Sequence, residues 1–167
     1  VYAAWIEFLS ERTARLGLRR SDDGGVTFGR PMTVTHIDLV PPCEPPEQPE
    51  CLPVPEFRFR TPTLALLAAD TSAGPHGGSL YATWQDYGAG DADIFLTRSL
   101  DLGHTWSRPM RVNDSPSGAQ DFLPAITVSP KDGTVGVSPG TVQAPSQTGA
   151  QPRSLTRTGS QDIFAGR

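Results

Sequence analysis

Three carboxylates, Asp86, Asp91 and Asp93, fall in one short stretch, and an arginine, Arg60, lies upstream in Phe59-Arg60-Thr61-Pro62. A planar guanidinium fork suits recognition of a carboxylate, and a held carboxyl group can pass a proton to or from a reacting oxygen. The three histidines, His36, His76 and His104, are scattered, so no metal site is expected. Two cysteines, Cys43 and Cys51, bracket a Pro/Glu-rich stretch. A disulfide between them is expected, pointing to an extracytoplasmic setting. The alternative is a pair of free thiols in a loop.

The elements that must position these groups come from an internal repeat. Val1-Tyr-Ala-Ala-Trp-Ile-Glu7 matches Leu80-Tyr-Ala-Thr-Trp-Gln-Asp86, and Ser21 to Val34 matches Ser99 to Val112. The offsets are 79 (Tyr2 to Tyr81) and 78 (Ser21 to Ser99). Runs rich in β-formers, separated by Gly/Asp clusters, predict strands at 63–69, 79–85, 92–99 and 108–113, one antiparallel four-strand unit. Residues 1–40 supply the last three strands of a preceding unit. Residues 114–138 begin a third, with strands at 123–128 and 134–138 about a Lys131-Asp-Gly133 turn.

Each of the first two units carries the pattern Ser-x-Asp-x-Gly-x-Thr-aromatic: Ser21, Asp23, Gly25, Thr27, Phe28, then Ser99, Asp101, Gly103, Thr105, Trp106. In a tight hairpin the Asp accepts bonds from backbone N–H groups ahead of it. Glycine permits positive φ, Ser and Thr add local bonds, and the aromatic ring folds back over the turn. These residues are expected to be structural.

Composition sets outer bounds. An apolar share of 37% with 17 Gly and 17 Pro favours short strands and many turns. No stretch is long and apolar enough for a spanning helix, and a net charge of −4 argues against nucleic acid as a partner. Seven of residues 41–55 are proline, so 41–56 reads as an extended insert between the first unit and the full unit at 57–113. From Pro139 the periodicity fades, and 139–167 holds three Arg against one Asp. That tail is expected to be disordered or frameshifted: codons for Pro139-Gly140-Thr141, read from the third base, can spell Trp-Tyr, which would continue the third unit as Trp5 and Trp84 continue theirs. The opening at Val1, inside a strand, suggests an incomplete reading frame.

Two such Asp boxes at the same place in successive units resemble the sialidase (neuraminidase) superfamily, and Phe59-Arg60-Thr61-Pro62 is similar to its Phe/Tyr-Arg-x-Pro signature. The resemblance covers roughly residues 1–138 without the Pro-rich insert. It implies an all-β fold, about two and a half four-stranded blades of a six-bladed propeller, and an exo-α-sialidase, a secreted glycoside hydrolase acting without a cofactor. By the same resemblance Arg60 binds the substrate carboxylate, and Asp91, with Asp86 second and Asp93 third, is the general acid/base. The family's nucleophile is a Tyr activated by Glu. The chain departs from the family in carrying a box ahead of its Arg motif and in placing Tyr87 where an Arg is common. The remaining arginines, the Glu and the nucleophilic Tyr would belong to blades this chain lacks, so the chain alone is expected to be inactive. The alternative is a non-catalytic propeller that serves as a platform for glycans or proteins.

Overall fold

The structure, a computed structural model, describes residues 1–42, 61–143 and 162–164. Cys43, Cys51, Arg60 and most of the Pro-rich insert lie outside the described residues. The described chain is all-β and antiparallel, and no helix is long and apolar enough to cross a membrane. The first sheet joins β1 (Tyr2–Phe8), β2 (Thr13–Arg20) and β3 (Met32–Asp38) in sequence order. The second joins β4 (Ala65–Ala69), β5 (Leu80–Asp86), β6 (Asp93–Ser99) and β7 (Met110–Arg111). The third has β9 (Val135–Gln143) between β8 (Ala119–Val128) and β10 (Asp162–Phe164).

Alternation along the strands turns one apolar row of each sheet toward its neighbour. Ala14, Leu16, Ile37 and Leu39 of the first sheet and its exit meet Ala82 and Trp84 of the second. On the other face of the second sheet, Tyr81, Ile94 and Leu96 meet Val135 and Val137 of the third. Burial of these rows is the main stabilising term available to strands this short.

Three predicted strands differ in extent. The strand expected at 108–113 pairs only at Met110 and Arg111, because Pro109 has no N–H to offer the ladder. Beyond it the pairing turns irregular: Val112 N–H donates to Ile94 O (2.9 Å), and the Asn113 side chain takes the Ile94 N–H (2.8 Å). The strand expected from Leu123 begins at Ala119, and the register shifts between Phe122 and Ala125. Pro124 sits in that shift beside Leu123 at φ 48°, so it marks a bulge inside the strand and not its start.

The third difference concerns the tail boundary. The limit drawn at 138 falls inside β9, which stays paired to β8 through Ala119↔Gln143. Val142 is buried with Val40 and Ala92, and that apolar contact holds the strand beyond the point where the periodicity fades. Within the tail, Asp162–Phe164 pairs with Val135–Val137.

Both Asp boxes form hairpins, one between β2 and β3 and the other between β6 and β7, so they belong to different sheets. Four bonds recur in both. Ser21 Oγ donates to Asp23 Oδ1 (2.7 Å) and accepts from Gly25 N–H (2.8 Å), while Thr27 N–H donates to Asp23 Oδ1 (2.9 Å). The second box repeats these bonds with Ser99, Asp101, Gly103 and Thr105, each at 2.8 Å. In both, the Thr hydroxyl takes the remaining carboxylate oxygen. Gly25 and Gly103 stand at φ 98° and 91°, as the turn demands. The two aromatic residues differ: Trp106 packs against the apolar cluster between the first two sheets, whereas Phe28 is 38% exposed. Phe28 joins none of the apolar clusters among the described residues.

Candidate functional site

The sheets share two ends. At one end lie the Asp boxes with the β4–β5 and β8–β9 turns, linked by contacts such as Tyr2 OH to Leu102 O (3.4 Å). At the other end the loop from Asp86 to Asp93 meets the exits of β3 and β7 and the start of β8, and all three predicted carboxylates stand there. Arg60, predicted to join them, lies outside the described residues.

Strands β5 and β6 end in the direct pair Asp86↔Asp93. Two like charges facing each other across a ladder repel, and the structure compensates each from a different side. Asp86 serves the first sheet: Oδ2 accepts from Asp38 N–H (3.1 Å) and Trp84 Nε1–H (3.4 Å), and Oδ1 accepts from Gly88 N–H (2.9 Å). Asp93, 5% exposed, is held by β7 and its exit, within its own sheet. Its Oδ1 accepts from Asn113 Nδ2 (2.8 Å), and Arg111 Nη1 stands 3.4 Å from Oδ2. Asp91, at the loop's far side, accepts from Gln120 Nε2 (2.9 Å) and Gly118 N–H (2.9 Å), one donor on each oxygen. All three are therefore acceptors that brace one loop against its neighbours.

The centre of this end is a residue that the sequence did not single out. Asp121 is fully buried and held by the same Asn113 amide (2.8 Å), by Ser115 Oγ (3.1 Å) and by Thr141 Oγ1 (2.5 Å). Burial raises its carboxyl above the ordinary range against the opposing pull of those hydroxyl donors, and the nearby Asp93 charge adds to the rise. Among the described residues it is the carboxyl whose affinity for a proton is raised, and with zero exposure it cannot reach a substrate. Gln120 adds a second clip, accepting from Ala92 N–H (2.8 Å) while Asp121 N–H donates to Ala92 O (2.7 Å).

Tyr87 is a further titratable group at this end. Burial raises its phenol, the Asp91 charge raises it further, and Arg12 opposes both. It therefore stays protonated at neutral pH and can donate a hydrogen bond. Asn113, Gln120 and Asp121 escaped sequence reasoning because a polar residue at a strand exit reads as solvated. The one available signal was the run Gln120-Asp121 inside a stretch of β-formers. Among the described residues, no three of His, Cys, Asp and Glu gather as a metal would require. No protein-family model matches the chain, and no curated protein matches it.

Proposed function

We propose that this chain is three sheets of an Asp-box β-propeller of the sialidase type, and that the complete propeller is an exo-α-sialidase, a glycoside hydrolase. One observation carries the reading: the same Ser–Asp–Gly–Thr bond network closes the last two strands of two successive sheets packed face to face. A propeller closes with about 4–8 sheets, so three leave the ring open and the chain alone inactive. In this reading Arg60 holds the carboxylate of the sugar, Asp91 is the acid with Asp86 behind it, no cofactor takes part, and a Cys43–Cys51 disulfide suits an extracellular protein.

A second reading, a non-catalytic platform for glycans or proteins, has its own support. Every carboxylate oxygen of Asp86 and Asp91 already accepts a hydrogen bond from the surrounding loops. These bonds use Asp91 as an acceptor, the role of its ionised form, rather than as a proton-donating acid.

The complete propeller this reading requires, assayed on a fluorogenic α-sialoside, separates the two. Under the enzyme reading it releases the fluorophore, and Asp91→Asn slows release by roughly 100-fold or more. Arg60→Ala slows it as well; equal rates would remove Arg60 from the site. Retention on a sialylated-glycan column without release supports the platform. Neither release nor retention sinks both readings.

A further inference from the structure

The end of the molecule that carries the Asp boxes holds a pocket of about 380 Å³ between the second and third sheets, far from the carboxylate loops. Its floor is apolar, made by Tyr81, Leu96 and Val135 of the cluster that joins these sheets. Its rim carries two arginines and a histidine: Arg98 from β6, Arg108 after the second box, and His76 from the β4–β5 turn. Among the described residues no carboxylate lines it, in a chain whose net charge is −4. Asp132, next to the lining residue Gly133, is occupied by its own turn, accepting from Thr134 N–H (3.1 Å). Arg15, Arg20 and Arg111 each have an acidic partner, but among the described residues neither Arg98 nor Arg108 forms an ion pair.

The stem that carries both arginines is braced. Ser107 N–H donates to Arg98 O (2.8 Å), Arg98 N–H donates to Ser107 Oγ (3.1 Å), and Thr97 Oγ1 donates to Ser107 O (2.7 Å). Two arginines are thus carried on a braced hairpin beside a concave space with an apolar floor, and no ion pair among the described residues takes up their donors. Such a space suits an anion with an apolar body, because the forks match an oxyanion and the floor takes the ring.

We propose that this pocket binds a small organic oxyanion, a carboxylate or sulfate carried on a ring-sized body, with Arg98 and Arg108 as its charge partners. The site stands apart from the sialidase reading and survives its failure.

The test is a nuclear magnetic resonance titration of the 167-residue chain with cyclohexanecarboxylate at low salt. Saturable shifts of the Leu96, Arg98, Ser107 and Val135 amides are expected, with a Kd of roughly 1 mM or below. Cyclohexanemethanol, the same body without charge, and inorganic sulfate, charge without the body, should each bind about tenfold more weakly. Arg98→Gln and Arg108→Gln should each cost about tenfold or more in affinity. Should a Gln variant misfold, R98K and R108K keep the charge but lose the fork, and should fall between wild type and no binding. Absence of saturable shifts overturns the proposal, as does equal binding of the neutral alcohol or unchanged affinity in both Gln variants. Sulfate binding as tightly as cyclohexanecarboxylate would mean an adventitious ion only, and would overturn it too.

Discussion

Trp5 and Trp84 occupy the same place in the repeat, yet their surroundings differ. Trp84 is 1% exposed, stacks on Phe95 across the ladder (centroids 6.1 Å apart, planes at 20°) and packs against the apolar row of the first sheet. Trp5 lies across Gly17, which takes the place of Phe95 in its unit, and belongs to none of the three apolar clusters among the described residues. The Gly17 backbone is its floor: a Cβ there would stand 2.5 Å from the indole. The two boxes differ in the same sense, with Trp106 packed and Phe28 exposed. The local hydrogen-bond pattern thus repeats with the motif, whereas burial depends on whether a neighbouring sheet arrives.

That contrast is open to measurement. In urea unfolding, Trp84→Ala should cost about 3–5 kcal/mol through lost contact and the cavity left behind. Trp5→Ala should cost roughly 1–2 kcal/mol, as a partly covered ring with one sheet beneath it. Equal losses would mean that Trp5 is packed as tightly as its counterpart.

The box glycines give a smaller contrast. Gly25→Ala and Gly103→Ala both place a side chain at positive φ, at a cost of about 1–2 kcal/mol. Only at Gly103 would the new Cβ also crowd its surroundings, 2.9 Å from Leu18 Cδ2 and 3.4 Å from Leu80 Cδ1, whereas at Gly25 nothing lies within 4 Å. Gly103→Ala should therefore lower stability by a further ~1 kcal/mol or more. Denaturation midpoints that coincide would remove the packing role of the second box.

The smallest contrast is in pH dependence, between the exposed box carboxylates and buried Asp121. The Thr105 hydroxyl, with the Thr105 N–H and Ser99, holds Asp101 at about 2, and Thr27 lowers Asp23 in the same way. A lowered carboxylate binds fewer protons folded than unfolded. Its contribution is thus complete above the ordinary carboxylate value and is lost as pH falls through the folded one. Asp121, raised by burial, binds more protons folded, so its contribution is complete below the ordinary value and is lost as pH rises through the folded one. Denaturation midpoints should therefore fall on both sides of the ordinary carboxylate range. Asp101→Asn should flatten the acid limb and Asp121→Asn the other. An unchanged acid limb in Asp101→Asn would detach the box from acid stability.

Much of the fold was legible from types and spacing. The Ser-x-Asp-x-Gly-x-Thr hairpins, the three sheets and the pairing of β4 through β6 depend on local rules: period-two alternation, glycine at positive φ and short-range side-chain acceptors. The end that gathers the carboxylates was legible too, because an antiparallel hairpin places Asp86 opposite Asp93. What each carboxylate touches was not. Asp86 turned to Asp38, Asp91 to Gly118 and Gln120, and Asp93 to Asn113, partners that are remote in sequence or beyond a turn.

From its residues alone, this protein has strands, turns and two self-closing boxes, since each needs only neighbours within a few positions of the chain. Tertiary structure decided which aromatic rings are covered, that Asp121 is sealed from water and that β9 runs on to Gln143. Burial is a property of the other sheet's arrival, and no spacing within one strand encodes it.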